Sequence, residues 1–310
     1  MWHRSLSSTM TRNSLPWVPG LAAESIVVSV DGSETQPSVC AYGAWLCRAL
    51  NAPVSLVHAH GSSEEDVRVD RSGVIRFDAH QTVLNDLVTR CAPGRGRLPG
   101  AIGVMLEKAR QFFTQMGVDC MGLHTYRGTW LEALGCSGRT AQLLVVGRRD
   151  AQQSGARYVG GSLEALVNSV ARPVLVSPSA FKTPNSALVA YDGSANAERI
   201  LDFMTSTPLF RSLDVHLVMV GPHSPAAVNA LTHAATRLAE ANVAARVELC
   251  QGRVEPTLHA YQALNGIDLM LIGAFGYSSL KRFLLGSTTA AILNTPRSKP
   301  VLVFPSSART

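Results

Sequence analysis

The feature that most limits what this chain can fold into is its internal repetition. Ser25-Ile-Val-Val-Ser-Val-Asp-Gly-Ser33 returns as Ser186-Ala-Leu-Val-Ala-Tyr-Asp-Gly-Ser194, and Gln142-Leu-Leu-Val-Val-Gly147 returns as Asp268-Leu-Met-Leu-Ile-Gly273. Gly161-Ser162 is echoed by Gly286-Ser287, and Pro173-Val-Leu-Val176 by Pro300-Val-Leu-Val303. Four matches in one order make two copies of one supersecondary plan. Generic strands resemble each other, but they do not share Asp-Gly-Ser and Pro-Val-Leu-Val.

Each copy reads as five strands alternating with four helices. In the second, Leu188 to Tyr191, Val215 to Val220, Ala245 to Cys250, Leu269 to Ile272 and Val301 to Phe304 are short apolar or alternating runs that suit strands. Ala195 to Thr205 is a helix with Ser194 placed to cap it. Ala226 to Ala241 is a helix with Val228, Leu231, Ala235 and Leu238 on one face. Pro256 falls near the first helical position of the next helix, and Ser287 to Asn294 forms the last. Alternating strands and helices require right-handed crossovers and a mainly parallel sheet covered on both faces. The class is therefore α/β, with two tandem Rossmann-like domains. Ligands of such sheets bind beyond the carboxyl ends of the strands, where the strand order reverses.

The expected organisation is a disordered tail over residues 1–20, a first domain over 21–178 and a second over 186–305. The join is the two-proline stretch from Pro178 to Asn185. The first copy is longer, and its surplus lies mostly between Gly61 and Gly100, ending in Arg90-Cys-Ala-Pro-Gly-Arg-Gly-Arg-Leu-Pro-Gly100. This reads as a solvated surface excursion.

Composition narrows the function classes. Apolar residues make up 46% of the chain and charged ones 16%, and no apolar run reaches the ~18 residues of a membrane span. Net charge is +6, but the arginines are scattered, with no basic helix and no interleaved aromatics, so no nucleic-acid partner is expected. Residues 1–20 lack the apolar core of a secretory signal. None of the six cysteines forms a C-x-x-C pair, so reduced thiols and a cytoplasmic setting are expected.

The chemistry-bearing motif follows the fourth strand of the second copy: Gly273-Ala-Phe-Gly276, nine residues, then Gly286-Ser287-Thr288. The first glycine ends a strand, the second permits a tight turn, and the third opens a helix. Free N–H groups and the helix dipole at that point favour a phosphate, and glycine lets backbone approach it closely. The hydroxyls of Ser287 and Thr288 can add hydrogen bonds.

On these residues the second half, 186 to 305, resembles the universal stress protein family. Gly273, Gly276, Gly286 and Ser287 match the family's ATP signature, G-x2-G-x9-G-(S/T), in full. The resemblance places Asp192, after Tyr191, near the adenosine moiety, and Val220 and Ile272 against the base. It implies domains of the adenine nucleotide alpha hydrolase-like type, each a five-stranded sheet of order 3-2-1-4-5 with ATP, and Mg²⁺ with its phosphates, held by the last loop. It also implies pairing through the last strands, which in a tandem chain can occur within one molecule, and a further homodimer.

The first half resembles the family but departs from the signature. Gly147 is followed by Arg148-Arg149-Asp150, so an acid stands where the second glycine belongs, and the spacing to Gly160 and Gly161 is disturbed. A carboxylate there repels phosphates. Little or no ATP binding is expected, and Asp31 keeps a turn role.

Other candidates are weaker. His58 and His60 share one side of a strand without further metal ligands, and His259 reads as a satisfied or solvent-facing imidazole. Lys281 and Arg282, inside the nine-residue loop, read as solvated, with contact to the ATP phosphates as the alternative. No nucleophile and base assemble, so no catalytic residue is assigned. The leading expectation is an ATP-dependent stress-response protein, a conformational switch with protein partners of its own. A slow ATPase or nucleotide-processing enzyme, and an ATP-independent interaction module, are the alternatives.

Overall fold

The computed structural model describes residues 25–60, 100–138, 140–148, 159–274, 287–294 and 299–305. The tail 1–20, most of the excursion 61–100, Asp150, Lys281 and Arg282 lie outside the described residues, as do Gly276 and Gly286. The strands are β1 (Ile26–Ser29), β2 (Val54–His60), β3 (Cys120–Arg127), β4 (Leu143–Gly147), β5 (Val174–Ser177), β6 (Ser186–Ala190), β7 (Asp214–Val220), β8 (Ala245–Cys250), β9 (Leu269–Gly273) and β10 (Val301–Phe304). The helices are α1 (Gln36–Leu50), α2 (Gly100–Gln115), α3 (Trp130–Ser137), α4 (Val159–Ser169), α5 (Ala195–Ser206), α6 (Pro225–Glu240), α7 (Val254–Leu264) and α8 (Ser287–Asn294).

All ten strands form one sheet of order β3-β2-β1-β4-β5-β10-β9-β6-β7-β8. Each half therefore has the expected 3-2-1-4-5 order. Among the described residues, pairing is parallel within each half and the one antiparallel join is β5 with β10, Leu175 opposite Leu302 and Val174 opposite Val303. The repeated Pro-Val-Leu-Val strands thus meet each other. Their side chains are almost wholly buried, so the two copies share a continuous interior.

The central strands are apolar on both faces because both faces are covered. Ile26 and Val28 point into one buried cluster, packed with Phe113 of α2, Ile200 of α5 and Leu231 of α6. Val27 points into a second, packed with Leu134 of α3, Leu166 of α4, Leu258 of α7 and Ile292 of α8. Both clusters run across the two halves.

The repeated Asp-Gly-Ser has a local cause. Asp31 and Asp192 each accept a hydrogen bond from the backbone N–H two residues on, at 3.0 and 2.9 Å, while Gly32 and Gly193 adopt φ of +77° and +70°, where side chains are strained. The turn leads each first strand into its helix.

The connection between the copies is pinned. Lys182 Nζ and Lys299 Nζ donate to Asp268 Oδ1 at 2.6 and 3.0 Å, and Asn185 N–H donates to Asp268 Oδ2 at 3.1 Å. Burial would raise the Asp268 carboxyl, but these partners outweigh it and hold its pKa below the usual range.

Two expectations, on the α6 face and on the thiols, need correction, while those for Pro256 and His259 are narrowed. On α6 the buried face is Leu231, Ala234 and Leu238, and Val228 is 40% exposed with Ala235 only half-buried, a rotation of about one residue. Pro256 is the third residue of α7, still in the turn whose N–H groups lack intrahelical acceptors. His259 is buried, with Nε2 3.4 Å from Glu255, because it sits one turn on from that acid on the inner face of α7. Cys136 is disulfide-bonded, against the expectation of uniformly reduced thiols. Thiols distant in sequence can meet in space, so the absence of a C-x-x-C pair excludes no bridge.

Candidate functional site

In the second half the carboxyl ends of β6, β7 and β9 lie side by side, with β6 between the other two. The chain leaves β6 toward β7 and returns on the opposite side at β9, so the strand order reverses at β6/β9. This is where a sheet of this kind leaves a crevice. Tyr191 and Asp192 follow β6 directly, Val220 ends β7, and Ile272 and Gly273 end β9. Ser287 and Thr288 open α8. Of the expected residues, those described stand on this one edge.

The β9 edge and the start of α8 are tied together. Thr289 Oγ1 donates to the Gly273 carbonyl at 2.8 Å, and Thr289 is buried. Ala274 N–H donates to the Phe304 carbonyl at 2.8 Å, which fixes the exit of β9 against β10. Sequence reasoning missed Thr289. It follows the Gly286-Ser287-Thr288 run, and its counterpart in the first half is Glu164, which cannot donate when ionised.

Asp192 is exposed on the edge. Its turn differs from that of the first half in one respect. Ser33 Oγ donates back to Asp31 at 2.6 Å, whereas Ser194 Oγ turns away and accepts from Ala197 N–H, capping α5. Tyr191 is buried, and its hydroxyl donates to Glu198 Oε1 of α5 at 2.6 Å. Burial first, and the Glu198 carboxylate second, push its phenol well above the usual tyrosine range. Arg237 of α6 donates to Glu198 Oε2 at 2.9 Å and also binds Asp202. Tyr191 thus lines the edge through its backbone and ring. Its hydroxyl belongs to a network under the helices, invisible in the sequence because its members lie far apart along the chain.

Among the described residues, a Cβ placed on Gly193 or Gly221 would meet nothing within 4 Å. In the first half, a Cβ on Gly32 would lie 3.2 Å from Met105 Sδ, and one on Gly147 would lie 2.8 Å from Thr35 Oγ1. There His58 Nδ1 meets the Val30 carbonyl at 2.7 Å and its ring stacks on His60 with centroids 6.2 Å apart. Among the described residues, no three His, Cys, Asp or Glu gather in a way that could hold a metal ion. Among them also, no helix is long and apolar enough to cross a membrane.

Two 3-2-1-4-5 sheets, joined by their last strands and each covered by helices on both faces, define a tandem Rossmann-like protein. Residues 185–305 match the Universal stress protein family. Along most of its length the chain is similar to Universal stress protein Slr1230 of Synechocystis sp., 29% identical over 286 residues, covering 91% of this chain and 99% of that protein. A universal stress protein from Archaeoglobus fulgidus shares the fold at a TM-score of 0.64 and 14% identity, over 91% of this chain and 98% of its own. A putative universal stress protein from Pseudomonas aeruginosa does so at 0.58 and 14%, over 92% and 94%.

Proposed function

We propose that this chain acts as a universal stress protein that binds ATP in its second half and uses it as a conformational or assembly switch. The observation that carries the reading is the crevice at β6/β9. Asp192, Val220 and Gly273 stand at neighbouring strand ends there, and Thr289 ties the first turn of α8 to β9. Unpaired N–H groups at a helix start favour a phosphate, and the open glycines at 193 and 221 leave room beside it. Asp192 suits a ribose hydroxyl as acceptor, and Val220 and Ile272 offer apolar faces to a base. The residues present fit the nucleotide. Mg²⁺, when carried in with the phosphates, neutralises part of their charge.

A ligand that binds one state better shifts the population toward it. α5 gives this switch a physical route. It starts at the Asp192 turn, carries Glu198 under Tyr191, and carries Arg199, whose guanidinium donates to the Pro305 carbonyl and, at 3.4 Å, to the Ala171 carbonyl of the first half. Occupancy of the crevice would act on the seam between the copies, and through it on protein partners or a homodimer. The reading assigns no catalytic base and places the protein in the cytoplasm.

The test is calorimetric titration of Mg-ATP into the parent and into Gly276→Asp. A carboxylate set among the phosphates is expected to weaken binding about 100-fold, from roughly 3 kcal/mol of like-charge repulsion at intermediate dielectric. Equal affinities would remove the proposed site.

A further inference from the structure

In the first half a tryptophan reaches the end of β1 from the start of the helix that follows β3. The repeat aligns Ser29 with Ala190, and the pairings Ile26 with Val54 and Ala187 with Val215 align Ala59 with Val220. Trp130 opens α3 and Val254 opens α7, the corresponding helix. The Trp130 indole Nε1–H donates to Ser29 Oγ at 3.0 Å. Since β2 lies between β3 and β1, the indole spans β2 to reach the end of β1. Trp130 and Ala59 pack against the same buried cluster, which includes Val27 and Val57.

Among the described residues, the second half has none of this. Val254 is too short to span a strand and is 40% exposed, and Ala190 has no hydroxyl to receive an indole N–H. Met105, which lies over Gly32, also has no equivalent over Gly193 among the described residues.

The geometry points to Trp130 as a built-in occupant of the first-half crevice: its indole fills the place that a purine takes in the second half, so each chain holds a single nucleotide. Indole and purine are both planar fused five- and six-membered rings, and the half-buried indole N–H finds its acceptor in Ser29. The assignment of that place as a base site rests on the proposed function of the second half.

The test is thermal melting of the full chain and of Trp130→Val, which installs the residue found at the matching place. Each is measured alone and with millimolar adenine, indole or imidazole. Trp130→Val is expected to melt below the parent. Adenine and indole should then raise its melting temperature by more than they raise the parent's, and imidazole should not. Adenine bound in the second half moves both proteins alike, so the increment over the parent reads the first half alone. It does so whether or not Gly276→Asp abolishes ATP binding. Equal increments, or a response to indole without one to adenine, would overturn the inference. A second measurement needs no destabilised variant. The Trp130 indole N–H resonance, assigned by its loss in Trp130→Phe, should exchange slowly and stay in place at saturating Mg-ATP. Its displacement by nucleotide would equally overturn the inference.

Discussion

The two halves of this protein share a sheet order and a seam, yet their carboxyl edges have diverged. In the second half, the described residues at the edge are small: Gly193, Gly221, Ala190 and Val254. In the first half, Met105 and Trp130 reach over the same positions and Ser33 ties its hydroxyl back to Asp31. The difference teaches that the scaffold needs its crevice only once. The strands, the turn and the Pro-Val-Leu-Val join are required for folding in both copies. The residues around the crevice are required only where a ligand is to be held, and elsewhere they are replaced by side chains that fill the space.

The largest effect that can break this comparison lies at the seam. Leu302 is fully buried opposite Leu175, so Leu302→Ala should destabilise the whole chain by ~2–5 kcal/mol in denaturant titration. A single cooperative transition is expected, because both cores extend across the join. Two separated transitions would show halves that are energetically independent.

A smaller effect comes from transplanting the plug. Val254→Trp with Ala190→Ser gives the second half the indole and acceptor of the first. ATP affinity should fall about tenfold, or ~1.4 kcal/mol, in the same calorimetric titration. Unchanged affinity would separate the indole from the base site.

The clasp at the linker gives a pH signature. The Asp268 carboxyl is held below its usual 3.8, so its contribution is fully present above about pH 4 and is lost as pH falls through the lowered value. Asp268→Asn should therefore be less stable than the parent at pH 7 by about 1 kcal/mol, a modest figure because Lys182 is mostly exposed. The gap should close on acidification. A constant gap would mean that shape rather than charge holds the linker.

The smallest effect is at Glu198. Glu198→Gln keeps an acceptor for Tyr191 and weakens the Arg237 pair, for a loss of ~0.5 kcal/mol in melting experiments, removed by high salt. The first half has Val30 where the second has Tyr191, so no such salt-sensitive component is expected there.

Much of the architecture was legible in the sequence because it is local. Strand and helix periods place most elements of the second half within a residue or two of their observed bounds, and Ser194 caps α5 as its position suggests. The seam was implied by the family resemblance, with the repeated Pro-Val-Leu-Val strands as its partners. The α6 face could not be fixed, because an alanine-rich helix offers several stripes of similar apolarity and packing chooses among them. The crevice was legible as a set of strand ends. Its fastenings were not: Thr289 on Gly273, Glu198 under Tyr191 and Trp130 on Ser29 join residues that only the fold brings together. The disulfide at Cys136 and the burial of His259 were hidden for the same reason.

The central claim is that one half holds a nucleotide and the other holds its own side chains instead. The most direct measurement is native mass spectrometry of the full chain with saturating Mg-ATP, counting nucleotides per chain. The account predicts one, reduced to none in Gly276→Asp. Two per chain, or one that persists in that variant, would contradict it.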